Sequence, residues 1–357
     1  MPTRIKLSAL REDDYGTVLC RYFEESEDAQ RQIGFVLPPS VDDLKSIFPL
    51  AGTYKAVDAT AKSGSIHGLV RIMSRPGKPG PKINVRFASD DPRLVRDVYP
   101  FVRELAKSEL KLIVEAYNVF GYEKEKIETL LDLGFVKGAA TLNTACLDGR
   151  FYDTHYLYHS LEKDYQASPR KEYAEQGDLY PLLPVERQKP PLKLSFRMAT
   201  PDDGGDLAES ISHQNTFRTL GMGTYTGFVT KSESASFIEQ GKKSGLEHAI
   251  VCVDTDRNKV IGMSDVGIML GHVSSHVGHV GIHVNPQYHG LGVGTGLLKE
   301  IDLLAKRLHL GSLVLSYFDN NEAGRKLYEK MGYERRGEVP GWLSSRYAKE
   351  IFMQKML

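Results

Sequence analysis

The stretch Gln287-Tyr288-His289-Gly290-Leu291-Gly292-Val293-Gly294-Thr295-Gly296-Leu297-Leu298 restricts this chain more than any other. Before it, Val280-Gly281-Ile282-His283-Val284 alternates as a strand. After it, Leu297, Leu298, Ile301, Leu304 and Leu308 recur at helical spacing. Glycines at a strand-to-helix junction let the backbone approach a ligand without side-chain interference. The free N–H groups of the first helical turn then favour an anion. A glycine in that turn costs about 1 kcal/mol against alanine, so a run of them points to a use for bare backbone. The expectation is a cradle for a pyrophosphate.

Three glycine-rich cradles compete. A P-loop needs Lys-Ser/Thr after its last glycine, and Leu297-Leu298 follow Gly296. The dinucleotide fingerprint wants an acid about 20 residues on, after a second strand. Here the strand Leu313-Val314-Leu315 runs into Ser316-Tyr317-Phe318, and the first acid, Asp319, comes too late. The third is the Q/R-x-x-G-x-G/A loop of acyl-CoA-binding acetyltransferases, which Gln287–Gly292 fits without a gap. Residues 321–333, N-E-A-G-R-K-L-Y-E-K-M-G-Y, resemble the N-x-x-A-x-x-L-Y-E-K-x-G-F signature of the GNAT superfamily of N-acetyltransferases. The spacing from the cradle agrees: one helix, one strand, then a short helix stopped by Gly332. The resemblance runs from Phe196-Arg197 to the C-terminus and departs at Gly324, where alanine is usual.

That resemblance implies an α/β (α+β) fold, with a mixed, mostly antiparallel twisted sheet flanked by helices. It implies acetyl-CoA as cosubstrate and no metal. The strand residues Ile282, His283 and Val284 would offer backbone N–H groups to the acyl carbonyl and pantetheine. Gln287, Tyr288, His289, Gly290, Leu291, Gly292, Val293, Gly294 and Thr295 would form the cofactor loop, with Leu291 through Thr295 on the pyrophosphate. Asn321 matches the family's pantetheine-contacting asparagine. Tyr328 matches the tyrosine that protonates the leaving thiolate; a phenol of pKa about 10 suits a thiolate of about 8–9. His279 stands where many relatives carry a glutamate base, and an imidazole can do the same work; a chain of water molecules is the alternative. His272, His276, His279 and His283 have a spacing that would gather ligands on a helix, but the segment reads as loop and strand, so no metal site is expected.

The chain also resembles itself. Leu7-Ser8-Ala9-Leu10-Arg11-Glu12-Asp13-Asp14 is similar to Phe196-Arg197-Met198-Ala199-Thr200-Pro201-Asp202-Asp203, and Ile127 through Phe135 to Arg325 through Tyr333. The expectation is two GNAT-like domains, 1–163 and 194–357, joined by a proline-rich linker at 164–193. The first has no cradle: after the strand Lys82–Phe87 comes Ala88-Ser89-Asp90-Asp91-Pro92, without glycine and with two carboxylates where phosphates would go. Leu130 stands opposite Tyr328.

The chain has 357 residues, formal net charge zero and three dispersed cysteines, Cys20, Cys146 and Cys252. No nucleic acid partner is expected from that charge. The cysteines suggest no disulfide framework and fit a cytoplasmic protein. No apolar run is long enough for a membrane span. The leading expectation is an acyl-CoA-dependent N-acetyltransferase acting on a primary amine of a small molecule or peptide. The alternatives are a non-catalytic acyl-CoA sensor or scaffold, and an aminoacyl- or peptidyl-transferring enzyme with paired GNAT-like domains. Acceptor choice would lie with His213–Phe217 and Gly221–Gly227. Oligomeric state is open.

Overall fold

The computed structural model describes residues 5–35, 38–58, 66–73, 82–89, 91, 94–164, 186, 188, 191–212, 230–269, 272–343 and 346–357. The segments 213–217 and 221–227, and nearly all of 164–193, lie outside the described residues. The chain divides into two compact units, Met1–Glu172 with Gly271–Val273, and Tyr173–Leu270 with Ser274–Leu357.

In the first unit the strands are β1 (Ile5–Ala9), β2 (Thr53–Asp58), β3 (Ile66–Met73), β4 (Lys82–Ala88), β5 (Ile113–Phe120), β6 (Val136–Leu147) and β7 (Arg150–Ser160). The helices are α1 (Cys20–Glu25), α2 (Glu27–Gln32), α3 (Val41–Ile47), α4 (Leu94–Ser108) and α5 (Lys124–Asp132). The sheet order is β1-β2-β3-β4-β5-β7-β6. Every neighbouring pair is antiparallel except β4 and β5. On α4, Leu94, Val98, Val102 and Ala106 share one stripe and pack on Ile83, Val85 and Val114. Asp164 closes the unit: it accepts from Arg103 Nε at 2.7 Å and Nη2 at 2.5 Å. His272 also belongs here, its Nε2 3.1 Å from the Ile33 carbonyl oxygen. Its ring fills the space over Gly34, where a Cβ would lie 1.8 Å from it.

The second unit has β8 (Leu194–Met198), β9 (Glu247–Asp254), β10 (Lys259–Gly267), β11 (Val277–Val284), β12 (Ser312–Phe318), β13 (Glu334–Leu343) and β14 (Arg346–Met356). Its helices are α6 (Gly204–Ser212), α7 (Lys231–Ser244), α8 (Val293–Arg307) and α9 (Glu322–Lys330). The order is β8-β9-β10-β11-β12-β14-β13, again antiparallel except for β11 and β12. The two units therefore share one strand order and one position for the parallel pair. Each is the mixed, mostly antiparallel sheet with flanking helices that the sequence implied. Alternation along β9 assigns its two faces. Ile250 and Cys252 meet Leu297, Leu298 and Ile301 of α8. Ala249 and Val251 meet Leu207 and Ile211 of α6 and Ile238 of α7.

The feature that positions the site is a short ladder. β11 and β12 pair only from Val277–Ser312 to His279–Val314. Beyond that point β11 stays with β10 as far as Val284, and β12 stays with β14 as far as Phe318. The strands diverge into a wedge. No helix among the described residues is long and apolar enough to cross a membrane.

Leu297 is fully buried between α8 and the sheet. Leu297→Ala should cost the second unit about 2–5 kcal/mol. The chain's single tryptophan, Trp342, lies on β13, so a denaturant titration followed by tryptophan fluorescence reads that unit; an unchanged midpoint would show that α8 is not part of its core.

Candidate active site

At the open end of the wedge is a cavity of about 460 Å³. Its walls are the end of β11, the loop into α8, and one face of α9. Asn285 turns the chain there: its Oδ1 accepts from the Gln287 amide at 3.0 Å, and its own N–H donates to the Ile261 carbonyl at 2.8 Å. One turn follows at Pro286–Tyr288. Gly290 and Gly292 then adopt φ of +81° and +85°, a region that side chains disfavour. Gly292 is the N-cap of α8 and provides no side-chain cap, so the first-turn amides are aimed outward. A Cβ at Gly292 would meet nothing within 4 Å; it would project into open space.

The four glycines of the motif have two jobs. A Cβ at Gly294 would lie 2.8 Å from Leu327 Cδ2, and one at Gly296 would lie 2.1 Å from the Phe196 ring. Those two let α8 pack against α9 and β8. Gly290 and Gly292 shape the loop.

Most of the residues singled out in the sequence meet at this cavity. Ile282, His283 and Val284 form its strand wall. Tyr288, His289 and Gly290 bound the loop side, and Gly292, Val293, Gly294 and Thr295 the start of α8. Asn321 and Tyr328 stand on the α9 side. Gln287 and Leu291 are not in the wall. Gln287 is held by its backbone, donating to Asn285 and accepting from the Gln188 amide at 2.9 Å. Leu291 packs against the α8 core. His279 lies back at the wedge apex, outside the wall. Ala323, Gly324, Lys326, Leu327 and Lys330 complete the α9 wall; apart from Gly324, read as a small residue compatible with close packing on the cofactor, sequence reasoning had given them no role. The signal was available in the helical period: Asn321, Gly324 and Tyr328 fall on one face.

Asn321 caps α9, its Oδ1 accepting from the Gly324 amide at 2.9 Å. A Cβ at Gly324 would lie 2.7 Å from Asn321 Nδ2. The glycine that departs from the resembled signature thus makes room for the cap. On the loop side, the Tyr288 hydroxyl reaches Asp254 Oδ2 at 3.3 Å, and Arg257 Nη1 lies 2.7 Å from the same oxygen. Asp254 is fully buried.

The titratable groups are tuned mainly by burial. Tyr328 is 5% exposed, with its ring 5.6 Å from Tyr317 and 6.1 Å from Tyr333. Burial, and secondarily Tyr317, push its phenol above the ordinary value, so it stays protonated. Burial lowers His283 from 6.5 to about 4. Desolvation also lowers His279, although its side chain keeps a solvent-exposed surface; the direction follows from the dense protein around the ring. Both imidazoles are neutral at pH 7. Among the described residues no group of three or more His, Cys, Asp or Glu is arranged to hold a metal ion.

Residues 247–335 match the family described as acetyltransferase (GNAT) domain. The chain is 35% identical over 73 residues to the thialysine N-epsilon-acetyltransferase of Mus musculus, a match covering 20% of this chain and 43% of that protein. It is 28% identical over 96 residues to the L-amino acid N-acetyltransferase AaaT of Escherichia coli (strain K12), covering 27% and 57%. The chain thus spans about half the length of these curated relatives. Among solved structures, the ribosomal-protein-S5-alanine acetyltransferase of Vibrio fischeri aligns at 20% identity and TM-score 0.40, over 46% of this chain and 92% of that one. The yncA protein of Salmonella typhimurium, solved with its cofactor acetyl-CoA, aligns at 20% identity and TM-score 0.39, over 46% and 94%.

His283 has a sign-definite consequence. The unfolded chain takes up its proton near 6.5, the folded chain only near 4. Its contribution is therefore complete above pH 6.5 and is lost as pH falls toward 4, worth about 3 kcal/mol at 1.36 kcal/mol per unit. Denaturant midpoints measured across this window should fall less steeply in His283→Gln than in wild type; parallel curves would show that His283 titrates normally.

Proposed function

We propose that the chain is a cytoplasmic N-acetyltransferase that moves an acetyl group from acetyl-CoA to a primary amine of a small molecule or peptide. The observation that carries this reading is a convergence. The uncapped, glycine-bounded start of α8, the wedge between β11 and β12, and the buried Tyr328 all open on one cavity. The open space beyond Gly292 is where a pyrophosphate fits, since outward amides and the helix dipole both favour an anion there. The GNAT match spans this region, and two relatives are named for amine acetylation, one of thialysine and one of L-amino acids.

Acetyl-CoA would supply an activated acyl thioester. In this reading the amides of Gly292 through Thr295 hold the pyrophosphate. Backbone N–H groups of β11, released from pairing where the wedge opens, are available to a developing oxyanion. Asn321 borders the pantetheine. Tyr328, kept protonated, gives its proton to the departing sulfur. His279, neutral at the apex, relays the proton lost by the attacking amine.

The first unit supports a reading as a degenerate copy, with domains at 1–163 and 194–357 and a linker at 164–193. Its strand order is the same and β4 and β5 also part early, after Val85–Ala116. There the gap is plugged. Lys126, in the place of Gly324, donates from Nζ to the Phe87 carbonyl at 3.0 Å and pairs with Glu123. Glu123, in the place of Asn321, accepts from the Phe120 amide at 2.7 Å. Leu130 stands for Tyr328 and is fully buried. A cleft of about 550 Å³ remains, where Asp28, Asp91, Glu123, Glu125 and Asp148 face Arg31, Lys124 and Lys126; Lys126 and Arg31 are already paired with Glu123 and Asp148, so the carboxylates left over disfavour a pyrophosphate. Asp90 and Pro92 lie outside the described residues.

Calorimetric titration should give one coenzyme A per chain in wild type and none in Gly292→Asp, whose carboxylate would enter the anion site. A stoichiometry near two, or undiminished binding by the folded variant, would refute the assignment. Tyr328→Phe removes only the hydroxyl. Its turnover should drop about 10- to 1000-fold with coenzyme A affinity retained; unchanged turnover with chemistry rate-limiting would leave the thiolate proton to another source.

A further inference from the structure

The face of the sheet opposite α8 carries a feature that the cradle does not explain. Glu247, Gly267 and His279 stand directly across from one another on β9, β10 and β11. One pair along, Ala249, Asp265 and Gly281 do the same. Directly opposed residues share a face, and so do residues two apart on a strand. Glu247, Asp265, His279 and His283 therefore all project to the side covered by α6 and α7.

The two glycines make space for the two acids. A Cβ at Gly267 would lie 2.7 Å from Glu247 Oε2, and a Cβ at Gly281 would lie 2.7 Å from Asp265 Oδ1. Each carboxyl lies flat over the neighbouring strand, and the two are hydrogen-bonded to each other. Gly241 of α7 allows the helix down onto Glu247; a Cβ there would lie 2.8 Å from Glu247 Cβ. Dense protein surrounds both acids, yet each keeps some solvent-accessible surface. Gly281 lies just past the last β11–β12 pair, at His279, so the pair is beside the apex where the wedge begins. A second buried polar group lies on the same face. His283 is 8% exposed, lies two residues along the same face from Gly281, and has a buried Nε2 with no hydrogen-bond partner among the described residues.

We propose that the Glu247–Asp265 carboxyl pair is the proton acceptor for the attacking amine. This rests on the acetyltransferase reading and completes it. The amine nitrogen gives one proton to the pair, through His279 or a water, and its lone pair closes the C–N bond on the acyl carbon. The C–S bond breaks with its electrons on sulfur, which takes the Tyr328 proton. The pair returns its proton, and Tyr328 regains one, from solvent. Two touching carboxyls cannot both ionise cheaply, so they hold one shared proton and titrate as a unit; the proton acceptor is the form of the pair that has released that proton to solvent, and taking the amine proton restores the shared one. Desolvation first, then Asp265, raises Glu247, and desolvation raises Asp265 as well. A carboxyl pair raised in this way is better matched to neutral pH than an ordinary carboxylate, which is too weak a base.

The other titratable groups on this face, among the described residues, include His279 and His283, Arg197 of β8, which pairs with Asp203, and Glu350 of β14, which accepts from the Ser316 hydroxyl at 2.9 Å. Of the covering helices, Asp206 accepts the Val260 amide at 2.8 Å, Glu209 pairs with Lys259, and Glu233 caps Thr230. Lys231, Glu239, Lys242 and Lys243 of α7 are solvent-exposed.

The test uses the full chain with acetyl-CoA and two acceptors of different basicity, thialysine and an alanine-terminated peptide. In wild type the acidic limb of the kcat profile should stay in place when the acceptor is changed. Asp265→Asn and Glu247→Gln, both isosteric, should lower kcat about 100-fold or more and remove or move that limb, with coenzyme A affinity unchanged. Side-chain carboxyl NMR should show one pair releasing a proton near neutrality in wild type and not in either variant. The proposal is overturned if both variants keep the wild-type profile, if both carboxyls titrate at the ordinary values of about 3.9 and 4.3, or if the variants lose coenzyme A binding. Failure of wild type to bind coenzyme A would overturn the acetyltransferase reading along with it.

Discussion

Parallel strands β11 and β12 stop pairing after His279 and Val314, and each continues with a different neighbour. A sheet normally satisfies its backbone groups strand to strand, and leaving them unmade away from water is costly. The divergence is therefore a cost that the fold has to offset. It is offset by α8 and α9, which pack on the strands from the apolar side and leave the open end as the cavity floor. The loop, the helix start and Tyr328 acquire their relation to one another only because the strands part at that residue pair.

The corresponding pair in the first unit shows how narrow the margin is. β4 and β5 part in the same way, yet a single long side chain crosses the opening and binds the strand carbonyl that the gap exposes. Burial lowers the Lys126 ammonium and raises Glu123, each opposed by the other. A buried pair of this kind costs more to break than it contributes when intact. In the first unit the opening is filled by Lys126 together with Glu123, which holds its ammonium in place.

The helix-and-glycine grammar of the second unit was legible in the sequence because it is local. Strand alternation, the glycine run and the α9 period each occupy a dozen residues or fewer, and together they marked the cavity wall from Ile282 to Tyr328. Two things were not legible there. Gly294 and Gly296 read as cradle residues, but their neighbours Leu327 and Phe196 are distant in sequence, so a packing role left no local trace. The acid pair was invisible for the same reason. Glu247 and Asp265 sit on different strands, and nothing local in the sequence links them to Gly267 and Gly281, the glycines that accommodate them. Cross-strand register brings them together, and register is a property of the folded sheet.

The Tyr288 hydroxyl, Asp254 and Arg257 tie the loop ahead of α8 to the end of β9. A glycine-rich loop left to itself samples many conformations, and fixing it on a ligand costs about 1–2 kcal/mol for each backbone residue ordered. With an aromatic anchor on a fully buried carboxylate, much of that ordering is complete before any ligand arrives. The loop combines glycine's reach with the stiffness of the sheet, so a ligand at this cavity would meet a surface whose ordering cost is already largely met.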